Sequence, residues 1–264
     1  MVRYEILGPL RVVDGGVSSF ISARKVETLL AALLIRSDQV VSIEQLETEL
    51  WGDKTPRRAI AALHVYISQL RKFLAREGSA DSPVVTRPPG YLLRMRDDEL
   101  DFRTFEQLVQ FGRAHVRQHD HEQAVTCFEG ALALWRGPAL EDLRSGPIIE
   151  GFVIWLNEVR MECIEMLIDS QLELGRHREL IGRLYALVME YPLRETFYRQ
   201  LMLALYRAER QGDALQVYQR ARATLTKELG LEPCKALQVL HSSILLADDR
   251  LMDLCAFESA AQSA

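Results

Sequence analysis

Residues 55–76 read TPRRAIAALHVYISQLRKFLAR, and the fold turns on this stretch. Ile60, Leu63, Ile67, Leu70 and Leu74 recur at helical spacing, which predicts one helix with a single apolar stripe. Thr55-Pro56 predicts its start, a capping hydroxyl followed by proline where the first helical turn needs no N–H. Opposite the stripe, Ala62, Val65, Gln69 and Lys72 are expected, flanked by Arg58, Ala61, His64, Ser68 and Arg71. Alone, such a basic face is an ordinary solvated surface, so the neighbouring segments decide.

Upstream, Tyr4, Ile6, Leu10 and Val12 fall at even positions and Asp14-Gly15-Gly16 supplies a turn, predicting a small antiparallel sheet over 2–22. Lys25–Arg36 turns helical, with Val26, Leu29, Leu30 and Leu33 on one face. A second helix opens at Ser42, where Ser42-Ile43-Glu44-Gln45 has the form of a capping box, and ends near Trp51-Gly52. Downstream, a polar and mobile loop is expected over Glu77–Pro83. Residues 84–93 then read as strand, turn, strand, with Pro-Gly as the turn signal. Sheet, three helices and hairpin are the parts of a winged helix-turn-helix domain, placed at residues 1–96.

Asp97-Asp98-Glu99 is expected to be a linker, after which strand signals cease. Amphipathic helices follow to about Ala247, with small and aromatic residues at tetratricopeptide positions. Ala124, Phe128 and Ala131 fit, with Gly112 upstream; Ala214, Tyr218 and Ala221 fit again; Leu180, Leu184 and Leu187 fit loosely, with Pro192 at the closing position. The step from Leu180 to Ala214 is the repeat length of about 34 residues, and an insertion is expected around Trp135–Trp155. The fold class is thus mainly α with a small β component. An all-α repeat domain is expected over 97–249, and a disordered tail over 250–264.

Formal charge divides the chain. Residues 1–96 hold 14 basic and 10 acidic side chains, a net of +4, out of 32 and 37 in the whole chain. The remaining residues therefore carry −9 of the total −5. A basic first third points to a polyanion as its partner. No apolar run approaches the roughly 18 residues of a membrane span. The first residues lack a signal-peptide pattern, and a cytoplasmic, nucleoid-associated protein is expected. Cys127, Cys163, Cys234 and Cys255 are far apart, without the spacing of a zinc site or disulfide framework.

In a helix-turn-helix the second helix enters the major groove, here residues 55–76. Ala61 and Ala62 let the backbone approach, Val65 can touch a thymine methyl, and Gln69 can pair with an adenine edge. Arg58, Arg71 and Lys72 are expected to hold phosphates, which fix register without reading sequence. Arg87 with Pro88-Pro89-Gly90-Tyr91 is expected to form a rigid basic hairpin tip for a minor groove or the backbone.

Two other classes fit parts of the chain. In the first, the repeats form a protein-binding adaptor and the winged helix binds no DNA. In the second, His115, His119, Asp120 and His121 form a metal or proton-transfer site; as a polar turn between helices they need no such role. There is no Gly-x-Ser-x-Gly elbow and no phosphate-binding glycine loop, so neither enzyme nor cofactor is expected. Trp135, Trp155 and Tyr206 read as core before they read as a ligand groove.

Several segments resemble a known family. Leu7-Gly8-Pro9-Leu10, Lys25, Leu50-Trp51-Gly52, residues 64–72 (HVYISQLRK) and 86–93 (TRPPGYLL) are similar to the Streptomyces antibiotic regulatory proteins. So are residues 133–140 (ALWRGPAL), 174–177 (LGRH), 191–195 (YPLRE), 202–207 (MLALYR) and 228–233 (ELGLEP). The resemblance covers about residues 2–247. It implies an OmpR-like DNA-binding domain and a bacterial transcriptional activation domain. It also implies activators that bind direct repeats side by side near promoters of biosynthetic clusters, self-associating on DNA. They recruit RNA polymerase holoenzyme, sigma factor included, and the loop Gly52-Asp53-Lys54-Thr55 would be one polymerase-facing surface. Without a nucleotide-binding loop the chain resembles a small member. Gln69 stands where members more often carry arginine.

Overall fold

The computed structural model describes residues 2–75, 82–144, 146–248 and 251. The chain divides into two compact units, Met1–Leu108 with Gly130–Met161 and Val109–Glu129 with Glu162–Ala264. The boundary expected after residue 96 falls inside the first of these. Helices α4 (Asp101–Arg117), α5 (His121–Ala133) and α6 (Pro147–Glu173) contribute to both.

In the first unit, strands β1 (Val2–Glu5), β2 (Arg11–Asp14) and β3 (Val17–Ser19) form the expected antiparallel meander. The expected linker departs from its reading. Glu99–Leu100 forms a two-residue strand, β7, parallel to β1, giving the order β3-β2-β1-β7. Polar side chains disguised it, because the backbone does the pairing and Asp98 Oδ1 accepts Val2 N–H at 3.0 Å. Helix α1 (Arg24–Ile35) buries Leu29, Leu30, Leu33 and Leu34 completely.

Helix α2 (Ile43–Trp51) starts on the expected capping box, with Gln45 N–H donating to Ser42 Oγ at 3.1 Å and Ser42 N–H to Gln45 Oε1 at 3.0 Å. It stops at Gly52, whose φ of 56° is in the left-handed region that glycine tolerates. Lys25 Nζ donates to the Leu50 carbonyl at this helix end, where a cation is favoured.

Helix α3 runs over Ala59–Phe73, later than expected. Thr55-Pro56 belongs to a turn instead: Thr55 Oγ1 donates to the Gly52 carbonyl at 3.3 Å and Ala59 N–H to the Pro56 carbonyl at 3.0 Å. The buried stripe is Ala59, Leu63, Ile67, Leu70 and Leu74, whereas Ile60 is 52% exposed. Most of the polar loop expected over Glu77–Pro83 lies outside the described residues, as does the expected tail apart from Leu251.

A second sheet, β4-β6-β5, joins β4 (Val41–Ser42), β6 (Gly90–Leu93) and β5 (Val84–Arg87). The turn between β5 and β6 is Pro88-Pro89, joined by a cis peptide, and Gly90 is a strand residue, not half of a Pro-Gly turn. A Cβ at Gly90 would come within 1.9 Å of the Val41 carbonyl oxygen, so only glycine allows this strand approach.

Buried carboxylates close the first unit. Asp101 accepts the N–H groups of Ile6 at 2.9 Å and Leu7 at 3.0 Å. Arg136 donates its N–H to the Leu7 carbonyl at 2.8 Å and Nη1 to the Pro9 carbonyl at 3.1 Å, and Leu140 N–H reaches the Gly8 carbonyl at 3.0 Å. Segments 7–10 and 133–140 therefore grip each other. Glu49 of α2 is fully buried and accepts Ile148 N–H at 2.7 Å and Ile149 N–H at 3.1 Å, satisfying donors left free at the start of α6. Gly146 leaves room for it; a Cβ there would lie 2.5 Å from Glu49 Cδ.

The second unit adds α7 (His177–Glu190), α8 (Glu195–Arg207), α9 (Gln211–Leu229) and α10 (Lys235–Leu245). The repeat positions behave as their sizes require. Ala124, Phe128, Ala131, Ala214 and Ala221 are completely buried, Tyr218 is 8% exposed, and Leu180, Leu184 and Leu187 are buried. A Cβ at Gly112 would meet the Phe128 ring at 2.3 Å, so glycine admits that ring. The expected insertion is a connection holding a short 3₁₀ turn, Glu141–Leu143, and the first part of the 27-residue α6. Helix α8 is buried along Gln200–Arg207, and Arg207 inside it donates to the Leu251 and Leu172 carbonyls at 3.0 and 2.9 Å.

Candidate nucleic-acid interface

The interface is built on α3 and the β5–β6 hairpin. With Ala59 rather than Ile60 on the buried side, a turn of about 100° per residue places Ala61, Val65, Ser68 and Lys72 directly outward. All four are exposed, Val65 at 53%. Ala62 and Gln69, expected at the centre, sit instead on one flank, with Ala62 half-buried. Tyr66 shares that flank, its ring centroid 6.2 Å from that of Trp51 on α2. His64 lies on the other flank with the exposed Ile60, and Arg58 is exposed at the helix start. Ile60, expected in the buried stripe because of its apolarity at helical spacing, is exposed.

Charge supports this face. Residues 54–76 contain six basic and no acidic side chains, so nothing on the stretch repels a phosphate. Lys72, Arg58 and Arg87 are exposed. Arg71 is not placed as expected. Its Nε donates to the Val84 carbonyl at 3.0 Å and its Nη2 to Thr86 Oγ1 at 2.8 Å, so the guanidinium is engaged by the hairpin.

Tyr91 also needs correction. It is 6% exposed on β6, paired with Val41 and Thr86, so it supports the hairpin from inside and offers no ring to a ligand. Arg87 remains at the exposed tip. The tip is held against α2 as well, since Ile43 N–H donates to the Pro89 carbonyl at 3.2 Å. The loop before α3 exposes Asp53, Lys54 and Thr55, with Gly52 half-buried.

A helix with one buried stripe and one acid-free outward face, preceded by a capped helix and followed by a basic hairpin, is a winged helix-turn-helix. Residues 21–93 match the family model described as "Transcriptional regulatory protein, C terminal", and residues 100–245 match "Bacterial transcriptional activator domain". The regulatory protein DnrI of Streptomyces peucetius is 35% identical, over 94% of this chain and 93% of its own. The chain belongs to the Streptomyces antibiotic regulatory protein family. The transcriptional regulator RedD of Streptomyces coelicolor is 38% identical over 94% of this chain and 71% of its own. The solved structure of Mycobacterium tuberculosis EmbR in complex with a low-affinity phosphopeptide superposes with a TM-score of 0.89 at 33% identity. It covers 99% of this chain and 68% of the EmbR chain. Members of this family are regulators of transcription, and the chain is built as they are, a winged helix followed by helical repeats.

Other singled-out residues fall into structural places. Asp120 lies in the turn between α4 and α5, where Oδ1 accepts Gln123 N–H at 3.2 Å and Oδ2 lies 3.4 Å from His115 Nδ1. Among the described residues no group of three or more His, Cys, Asp or Glu side chains is arranged to hold a metal ion. None of the described helices is long and apolar enough to cross a membrane. Trp135 is half-buried between the Phe105 ring at 5.6 Å and the Arg160 guanidinium at 4.4 Å, and Tyr206 is buried. Trp155, expected in the core, is 41% exposed. Cys163 is buried, and burial pushes its thiol up to about 12, away from reactivity.

Three polar residues organise the first unit without any sequence motif that marks them as anchors: Glu49, Asp101 and Arg136. A signal existed for Glu49, which shares the buried side of α2 with Leu46 and Leu50. For Asp101 burial pushes the carboxyl up, and only partly do the Ile6 and Leu7 N–H groups and Arg136 pull it back, leaving it at about 6. For Glu5 burial also pushes upward, but hydrogen bonding and charge from Arg11, with Arg136 and Arg3, bring it below its ordinary value.

Proposed function

We propose that this protein is a cytoplasmic, nucleoid-associated transcription activator that places the outward side of α3 in the major groove of direct-repeat DNA. Residues 1–96 supply DNA binding and residues 97–249 activation. Ala61, Val65 and Ser68 approach base edges, with Ala62, His64 and Gln69 alongside. Arg58, Lys72 and Arg87 neutralise phosphates. Direct repeats place neighbouring copies head to tail on one side of the duplex, about one helical turn apart. Self-association then occurs on DNA, and the loop Gly52–Thr55 stays free for RNA polymerase holoenzyme and its sigma factor. The likeness to antibiotic regulators makes a secondary-metabolite cluster the target.

The acid-free outward face of α3 carries this reading, since a face meant only for water would mix both signs. The test is selection of duplexes from a randomised pool by the full chain, followed by affinity against salt. Enrichment of tandem repeats is expected, with log affinity falling linearly as log salt rises. An unenriched pool, or affinity indifferent to salt, would overturn it.

A further inference from the structure

The Arg71 guanidinium lies between the two parts of the proposed DNA-binding surface. It leaves α3 from the flank that carries His64 and reaches the hairpin instead of solvent. Nε donates to the Val84 carbonyl at 3.0 Å and Nη2 to Thr86 Oγ1 at 2.8 Å. Both acceptors are on β5, and Thr86 immediately precedes Arg87 at the tip. On its other side the hairpin is moored through β6, which pairs with β4, and through Leu93 accepting Asp38 N–H at 2.9 Å. Gly90 packs on the Val41 carbonyl there, and Pro89 accepts Ile43 N–H. The bonds from Arg71 reach the same hairpin from α3.

A guanidinium suits this because its planar fork presents several donors in fixed directions, which an ammonium on a flexible stem does not. A cation that neutralised a phosphate would be expected to extend into solvent, as the exposed Lys72 beside it does. Arg71 has spent Nε and one Nη on the hairpin.

We propose that Arg71 is a positioning residue that sets the hairpin tip at a fixed distance from α3, so that Arg87 meets the backbone or minor groove while α3 occupies the adjacent major groove. This rests on the DNA-binding reading above. Arg71 acts through Arg87, and its removal should cost what Arg87 contributes.

The test is a double-mutant cycle on the full chain, using a duplex that the unaltered protein selects from a randomised pool. Affinity and salt slope are measured for Arg71→Ala, Arg87→Ala and the double variant. If Arg87 neutralises one phosphate, its removal should weaken binding about tenfold and shallow the salt slope by about one unit. In the Arg71→Ala background the same change should cost less than about twofold. Arg71→Lys keeps the charge and loses the fork, so it should resemble Arg71→Ala. Thr86→Val removes one acceptor and leaves Arg71 itself intact. It should give a smaller loss in the same direction, guarding against an Arg71 variant that merely misfolds. Additive losses from Arg71→Ala and Arg87→Ala, or full rescue by lysine, would show a direct phosphate contact and overturn the proposal. Failure of the unaltered chain to select any duplex would overturn the DNA reading itself.

Discussion

In the first unit, Glu5, Glu49 and Asp101 are buried at 6%, 0% and 6% exposure. Asp101 and Glu49 serve backbone N–H groups 94 to 100 residues away. In the second unit small residues make room for large ones, with Gly112 admitting the Phe128 ring and Ala214 and Ala221 completely buried. Here a buried cation makes polar links, Arg207 donating to the Leu172 and Leu251 carbonyls. Repeats touch only their neighbours, so these polar links span less sequence, 35 residues from Arg207 to Leu172 and 44 to Leu251. The first unit gathers segments distant in sequence, and a carboxylate accepting two N–H groups fixes a junction in direction as well as distance. Its integrity should therefore depend on protonation of these carboxylates, whereas that of the apolar slots in the second unit should not.

The largest effect should come from the second unit. Phe128→Ala removes a fully buried ring from a glycine-lined slot and should cost about 3–5 kcal/mol. Chemical denaturation should show a similar loss across the acidic range, because no titrating group is involved. A loss that varied strongly with pH would blur the contrast between the units.

Asp101 provides the opposite case. Its carboxyl is raised from 3.8 to about 6. A raised acid stabilises the fold below its unfolded value, and that contribution is lost as pH rises through the folded value. Asp101 should thus make the protein less stable between about pH 4 and about pH 6, by at most about 3 kcal/mol. Glu5, held below its ordinary value, works the other way, and its stabilisation is lost only at lower pH. Asp101→Asn should flatten the slope in the window between them, and an unchanged slope would mean that Asp101 does not titrate there.

Glu49→Ala strands the Ile148 and Ile149 N–H groups and should cost about 1–3 kcal/mol. Glu49→Gln, which keeps one acceptor oxygen, should cost less. Equal losses would show that packing against Gly146 matters more than the hydrogen bonds. The smallest effect expected is on the DNA face. Lys72→Ala should weaken all duplexes alike and shallow the salt slope by about one unit, while Gln69→Ala relaxes preference at one base position. Identical profiles for the two would place Gln69 on phosphates.

What was legible in the sequence was local. The Ser42–Gln45 capping box, the Gly52 stop and the small residues of the repeats each depend on neighbours within a few positions. The start of α3 was not legible, because Thr55-Pro56 has the composition of a helix start and Ile60 outranks Ala59 in apolarity. That one-residue shift turned the outward face from Ala62 and Gln69 toward Ala61 and Ser68. Strand β7 is too short for alternation to show. The partners of Glu49, Asp101 and Arg136 are far off in sequence, and nothing in the residues 71–72 tells the guanidinium that braces a hairpin from the ammonium left free.

The central claim is that Val65 and its line of neighbours on α3 lie inside a DNA groove. A photoreactive residue at Val65 in the full chain, irradiated on a selected duplex, tests it directly, with Met189 on α7 as an exposed control. Crosslinks from position 65 to bases within each repeat, and none from position 189, are predicted. A bound duplex that position 65 never marks would contradict the account.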